Sequence, residues 1–260
     1  MCLQSCERDA DSCAQTVSIA SWRGVLPQPL RCAMLGVIVP AHNEEDHIAA
    51  CIAAIQVAAR CPRLDGEAVR IVVVLDACSD RTGSISRSLG ATTVVADARN
   101  VGIARDRGAR VAIDAGARWL AFTDADSLVA HDWLSTQLDQ RTDAVCGTIE
   151  VRNWGEYGDH MRQQHLTTYT DADGHRHIHG ANLGVSTIAY ENVGGFPPLR
   201  SSEDVALVQA LYRNGASIAW SAAPRVVTSA RRRYRAPGGF GETLARVDRE
   251  FRIRHGGAAA

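Results

Sequence analysis

From Leu35 to about residue 141, short β-rich runs alternate with helical stretches, which predicts an α/β protein on a single Rossmann-like, mostly parallel sheet flanked by helices. Two observations carry this. Val69–Leu75 is a continuous apolar run rather than an alternating one, as in strands buried on both faces. The segments between the strands are long enough for right-handed crossover helices. In such sheets ligands bind beyond the carboxyl ends of the strands.

The elements follow in order. Leu35–Ala41 is the first strand. Residues 46–61 place Ile48, Ile52, Ile55 and Ala59 on one helical face. Val69–Leu75 and Thr92–Ala96 are the next strands, 101–115 is an alanine-rich helix, Trp119–Thr123 is a fourth strand, and a helix follows near 131–141. After Val151 the rhythm breaks. Residues 153–181 are polar and hold five of the nine histidines, His160, His165, His175, His177 and His179. A strand at 183–187, a helix at 203–213 and two strands near 216–220 and 225–229 complete the domain, expected to span 34–235 with a nucleotide-binding half (34–150) and an acceptor half (151–235). Residues 236–260 read as a C-terminal tail that frays at its end. Residues 1–33 lack periodicity and carry Cys2, Cys6, Cys13 and Cys32, half of the eight cysteines. They read as a disordered leader, or as the product of a start upstream of Met34.

Composition removes several chemistries. All 28 basic residues are arginine, so a catalytic lysine, a Schiff base and a Walker-type phosphate loop are excluded. Phosphate would have to meet arginine, main-chain amides or a metal. The formal net charge of −1 offers no global field for nucleic acid. No apolar run reaches the ~20 residues that span a bilayer. The expected setting is cytoplasmic, with loose association to the inner membrane surface left open, and the cysteines read as free thiols.

Carboxylates gather at the strand ends. The first strand runs into Pro40-Ala41-His42-Asn43-Glu44-Glu45, the second ends at Asp76 with Ser79 and Asp80 just beyond, and the fourth ends at Asp124-Ala125-Asp126. Such a cluster is unfavourable unless a cation or hydrogen-bond donors share it. Plainer roles exist: Asn43 as a helix cap with Glu44, Glu45 and Asp46 on the helix dipole, and Asp80 and Thr82 as turn and cap residues. The string Thr-Asp-Ala-Asp also occurs at 170–173, but there it follows polar residues and ends in Asp173-Gly174, a turn signal. Asp171 and Asp173 are therefore expected in a loop, while Asp124 and Asp126, after a buried strand, suit a divalent ion bound with a diphosphate.

The ordered motifs resemble family-2 glycosyltransferases. Val37-Ile38-Val39-Pro40-Ala41-His42-Asn43-Glu44-Glu45 is similar to that family's opening. Asp76 to Thr82 resembles its second nucleotide loop, and Arg99-Asn100-Val101-Gly102 through Gly108 the loop and helix after strand three. Asp124-Ala125-Asp126 matches the D-x-D motif. Gly180-Ala181-Asn182, with Val193-Gly194-Gly195-Phe196, matches the acceptor-side segment, and Glu203-Asp204 the E-D motif. The resemblance implies a GT-A fold that binds a nucleotide-diphosphate sugar. Pro40, Ala41, Glu44, Asp76, Asp80, Asn100, Arg105, Asp124 and Arg233 would serve the donor. Asp126 and Asp124 would hold Mg²⁺ or Mn²⁺, with His179 the histidine nearest that role. Gly180 and Asn182 would lie on the acceptor side, and Asp204, beside Glu203, would be the general base of an inverting transfer of one sugar to an acceptor hydroxyl.

Several points stay open. Ser201-Ser202-Glu203-Asp204 also fits a capping box. The Q-x-x-R-W motif of processive synthases survives only as Ala230-Arg231-Arg232-Arg233-Tyr234. Arg225, Arg231, Arg232, Arg233 and Arg235 then form either a diphosphate clamp or a solvated basic edge. A retaining enzyme with a histidine at the metal, a nucleotidyltransferase and a non-catalytic sugar-nucleotide binder are the alternatives.

Overall fold

The computed structural model describes residues 33–231 and 239–254. The expectations for residues 1–32, and for Arg232, Arg233 and Arg235, lie outside the described residues. Eight strands form one sheet: β1 (Met34–Ala41), β2 (Ala68–Asp76), β3 (Thr92–Ala96), β4 (Ala117–Phe122), β5 (Leu128–Val129), β6 (Ala144–Glu150), β7 (Leu183–Ser186) and β8 (Ile218–Val227). Their order is β3-β2-β1-β4-β7-β6-β8-β5. The first four are mutually parallel, β7 runs antiparallel to β4 and β6, and β6 and β8 are parallel. The carboxyl ends of β1, β2, β4 and β6 thus share one edge.

Period-two alternation sorts β1 between two cores. Leu35, Val37, Val39 and Ala41 join α1 (Ile48–Ala58) and α4 (Trp133–Asp139) on one face. Ile38 joins α3 (Val101–Asp114), α6 (Thr187–Asn192) and α7 (Glu203–Arg213) on the other. α3 lies close to the sheet because its inner face is small. A Cβ on Gly108 would stand 2.7 Å from both Ile38 Cγ2 and Val74 Cγ2. Helix propensity alone would make Gly108→Ala a gain of about 1 kcal/mol. Overpacking reverses the sign, and we expect a net loss of about 1–3 kcal/mol by denaturant titration. A neutral or stabilised variant would show that α3 can ride higher.

The sequence misplaced some boundaries. The strands expected near 216–220 and 225–229 are one strand, β8, whose pairing jumps from Ser221↔Gly147 to Arg225↔Thr148. The intervening Ala222-Ala223-Pro224 bulges, and its proline mimics a chain break in sequence. β6, α2 (Thr82–Ser88), α5 (Gly158–Thr168) and α6 have too little amphipathic pattern to stand out. The expected tail contains α8 (Phe240–Arg254), which buries Leu244 in a third cluster with Trp154, Tyr157, Met161 and Ala230. His160 Nε2 and Asp248 Oδ1, 2.8 Å apart, tie α5 to α8. Cys51, Cys61, Cys78 and Cys146 are free thiols, as expected.

Candidate active site

Backbone strain marks the site edge. Asn43, Ala77 and Arg99, which follow β1, β2 and β3, have φ of 55°, 51° and 46°, and Ser202, which precedes α7, has 59°. Left-handed conformations at non-glycine residues persist only where surrounding contacts over-determine them. Here the contacts are side chain to backbone. Asp76 accepts the N–H groups of Ala98, Arg99 and Asn100, each at 2.8 Å. Asp80 accepts those of Glu45 (3.0 Å) and Thr82 (2.9 Å). Asn43 Oδ1 accepts Ser79 N–H (2.8 Å), and Glu44 N–H donates to Thr82 Oγ1 (2.8 Å). The loops after Pro40-Ala41 and after β2 are thereby bound to each other.

Two capping roles read from the sequence are corrected by this geometry. Asn43 does not cap α1, whose N-cap is His47, and no acid lies in its first turn, because Asn43 turns left-handed to meet Ser79. Ser202 makes no side-chain cap bond, so the capping box at 201–204 is not formed. Asn100, by contrast, caps α3 by accepting Ile103 N–H at 3.0 Å.

Two arginines organise the acids. Arg105, on α3 and only 4% exposed, gives one terminal nitrogen to Asp124 Oδ1 at 2.6 Å and the other to Glu203. Burial would disfavour its charge, but Asp124 and Glu203 more than offset that and raise its pKa. Burial raises the Glu203 carboxyl, against the pull of Arg105. A Cβ on Gly180 would collide with the Arg105 guanidinium, so glycine is required there by close approach. The Gly180 N–H donates to Asp204 Oδ2 at 2.8 Å, and the Val205 N–H to Asp204 Oδ1 at 2.8 Å. Arg105 thus connects the strand end bearing Asp124 with the helix start bearing Asp204.

Arg231 is the second centre. It pairs fork to fork with Glu44 at 2.8 and 2.6 Å and reaches Asp126 Oδ2 at 3.2 Å. Burial lifts the Asp126 carboxyl to about 6; Arg231 opposes the shift, while Asp124 and Glu44 add to it. Sequence reasoning named Arg231 in the basic run but favoured Arg233. The better signal was position, since Arg231 follows closely on β8, beside the β5 strand that leaves the D-x-D segment.

Asn182 is not open to an acceptor through its amide. Its Nδ2 donates to Thr148 O (2.7 Å) and Pro224 O (2.8 Å), and its Oδ1 accepts from Trp133 Nε1 (2.8 Å). It clamps α4, β6 and the β8 bulge. Asp171 and Asp173 are loop residues, as expected: Asp171 pairs with Arg225 at 2.6 Å, and Asp173 accepts from Ser221 Oγ (3.0 Å) and Ala222 N–H (2.8 Å).

His179 sits against Tyr169. Ile149 N–H donates to the Tyr169 hydroxyl (2.9 Å), and that hydroxyl shares a hydrogen bond with His179 Nε2 at 3.1 Å. Nε2 is therefore engaged in a hydrogen bond, not offered to a metal. Burial, followed by the fields of His177 and His175, depresses the His179 pKa to about 3. A depressed histidine contributes stability above its unfolded value of ~6.5 that is lost as pH falls towards 3. Replacing His179 with Asn should flatten the fall in melting temperature between pH 6.5 and 4, a window set by those two pKa values. An unchanged slope would contradict the assignment.

Among the described residues no three His, Cys, Asp or Glu side chains converge as a metal cage. Asp124 and Asp126 remain a hard-oxygen pair. That donor set fits Mg²⁺ or Mn²⁺, which are commonly held by one or two carboxylates together with substrate phosphate oxygens.

The model of the family described as glycosyl transferase family 2 matches residues 36–193, a span that includes the D-x-D segment and ends before Glu203. Among solved structures, mannosyltransferase PcManGT from Pyrobaculum calidifontis, in complex with GDP-Man and Mn²⁺, is 22% identical with a TM-score of 0.59; the match covers 86% of this chain and 65% of that one. S. aureus TarS 1-349 in complex with UDP-GlcNAc is 18% identical with a TM-score of 0.57, over 83% of this chain and 65% of that one. For S. aureus TarS the match is 17% identical with a TM-score of 0.58, and this chain spans only 36% of its length. At these identities the likeness carries the fold alone. No curated protein matches the chain in sequence. No helix among the described residues is long and apolar enough to cross a membrane. With most of its length matched by the family model and a sheet of GT-A type, the chain belongs to glycosyl transferase family 2.

Proposed function

We propose that the protein transfers one sugar from a nucleotide-diphosphate donor to an acceptor hydroxyl with inversion, Asp204 acting as general base. The observation that carries this is the joining of Asp124 and the Asp204 helix start through buried Arg105, with Asp126 and Glu44 held by Arg231 at the same sheet edge. Relatives in fold that carry UDP-GlcNAc, or GDP-Man with Mn²⁺, support the donor class.

In this account the loops after β1 and β2, bound to each other, form a rigid wall for the nucleoside. Asp124 and Asp126 would hold the divalent ion. Once bound, that ion would offset charge on the departing diphosphate as a Lewis acid. Arg231 supplies a second positive group at the same edge. Asp204 takes the acceptor hydroxyl proton; its two backbone donors fix its orientation, and each oxygen keeps a lone pair for the proton. Proton removal by a positioned carboxylate is worth roughly 10²–10⁴ in rate.

A thermal-shift screen of UDP-, GDP-, CDP- and dTDP-sugars with and without Mn²⁺ tests the donor assignment. One nucleotide class is expected to raise the melting temperature by roughly 5–10 °C at 100-fold excess over Kd. The absence of a shift with every donor would count against it.

A further inference from the structure

We propose that a second cleft, on the flank of α7, binds an oxyanion, a phosphate or carboxylate, carried by the acceptor, with the ring that bears it against Trp220. The link to an acceptor rests on the transfer function proposed above; the anion site itself does not. The cleft holds about 450 Å³, room for a monosaccharide phosphate. Arg176 and Ile178 line it on one side, Val208, Tyr212 and Arg213 of α7 on another, and Trp220 of β8 completes it.

Its charges await a partner. The Arg176 guanidinium lies over the Trp220 ring, 5.1 Å from the centroid. Arg213 donates through Nε to Gln209 O (3.2 Å), which leaves its terminal nitrogens for another acceptor. Among the described residues neither arginine pairs with a carboxylate. The nearby acids are engaged elsewhere: Asp171 by Arg225, Asp173 by Ser221 and Ala222, and Asp143 by Ser217. Two arginines with free forks suit a planar or tetrahedral oxyanion. Tyr212, 76% exposed on a helix whose Leu207, Val208 and Leu211 are buried, adds a second aromatic surface. Ile178 and Val208 supply an apolar side, so the expected ligand has a ring as well as a charge.

The chain connects this cleft to the reaction centre. Arg176 and Ile178 lead into Gly180, whose N–H holds Asp204. Val208 stands one turn beyond Asp204 on α7 and Tyr212 two, a rise of roughly 6–12 Å. Arg213, nine residues beyond Asp204 on α7, stands roughly 13 Å along the helix, so an acceptor that reaches both places would have to be longer than one sugar unit.

The test is ¹⁹F NMR of the full chain labelled with 5-fluorotryptophan, the Trp220 resonance being assigned by Trp220→Phe. Glucose 6-phosphate is the probe and glucose the neutral control. The Trp220 signal should move saturably with glucose 6-phosphate and not with glucose. Arg176→Gln and Arg213→Gln, both at exposed positions, should each weaken that binding roughly 10–100-fold, the range for one charge-assisted hydrogen bond. A signal that stays fixed through the millimolar range, responds equally to glucose, or is indifferent to both substitutions would overturn the proposal. Donor melting shifts on the same variants separate the two ideas. If Trp220 responds while no donor binds, the cleft stands and the transfer function fails.

Discussion

Asp204→Asn is expected to bind the nucleotide-sugar donor within about twofold of the wild type while transfer falls roughly 10²–10⁴-fold, the range attributed to general-base catalysis. The split follows from place. Asp204 stands at the first turn of α7, held by the N–H groups of Gly180 and Val205 rather than by the loops after β1 and β2. Asparagine keeps a carbonyl for Gly180 but cannot accept a proton. Donor affinity from melting shifts, set beside single-turnover transfer on the same preparation, separates binding from chemistry. Normal turnover in this variant would move the base elsewhere.

Arg105→Met should lower stability by about 3–5 kcal/mol, the usual loss when one partner of a buried ion pair is removed. For a chain of this size that is a melting-temperature drop on the order of 10 °C. Methionine approximates the volume but leaves Glu203, 5% exposed, as an uncompensated buried charge. Arg105→Lys keeps the charge, yet one ammonium cannot reproduce a fork that reaches both Asp124 and Glu203, so a smaller loss is expected. Adding Glu203→Gln to Arg105→Met should recover part of the loss, because the two residues are coupled. Additive effects in that cycle would mean that the Arg105–Glu203 contact contributes little.

Much of the donor side was legible in the sequence because it is written in local terms. β1, β2, β3 and β4 are short apolar runs, and the acids after three of them fall on one edge once the strands are parallel. What escaped depends on partners distant in sequence. Asp80 and Asn43 were weighed as turn and cap residues without knowing that their oxygens meet the backbone of each other's loops. Asn182 was placed by motif on the acceptor side, yet its amide is taken by Trp133, Thr148 and Pro224. Glu203 looked catalytic beside Asp204, but its carboxylate is paired with Arg105, 98 residues away. α5 escaped because Met161 is its one buried side chain, whereas α8 carries Phe240, Leu244, Val247 and Phe251 at helical spacing, a pattern present in the sequence.

The central claim is that the edge bearing Asp124 and Asp126 receives a nucleotide diphosphate through a divalent ion. Calorimetric titration of UDP and GDP, with and without Mn²⁺, into the wild type and Asp126→Asn tests it most directly. The account predicts binding of at least one nucleotide that requires Mn²⁺ in the wild type and is lost in the variant. Equal affinity in the two proteins, with or without Mn²⁺, would contradict it.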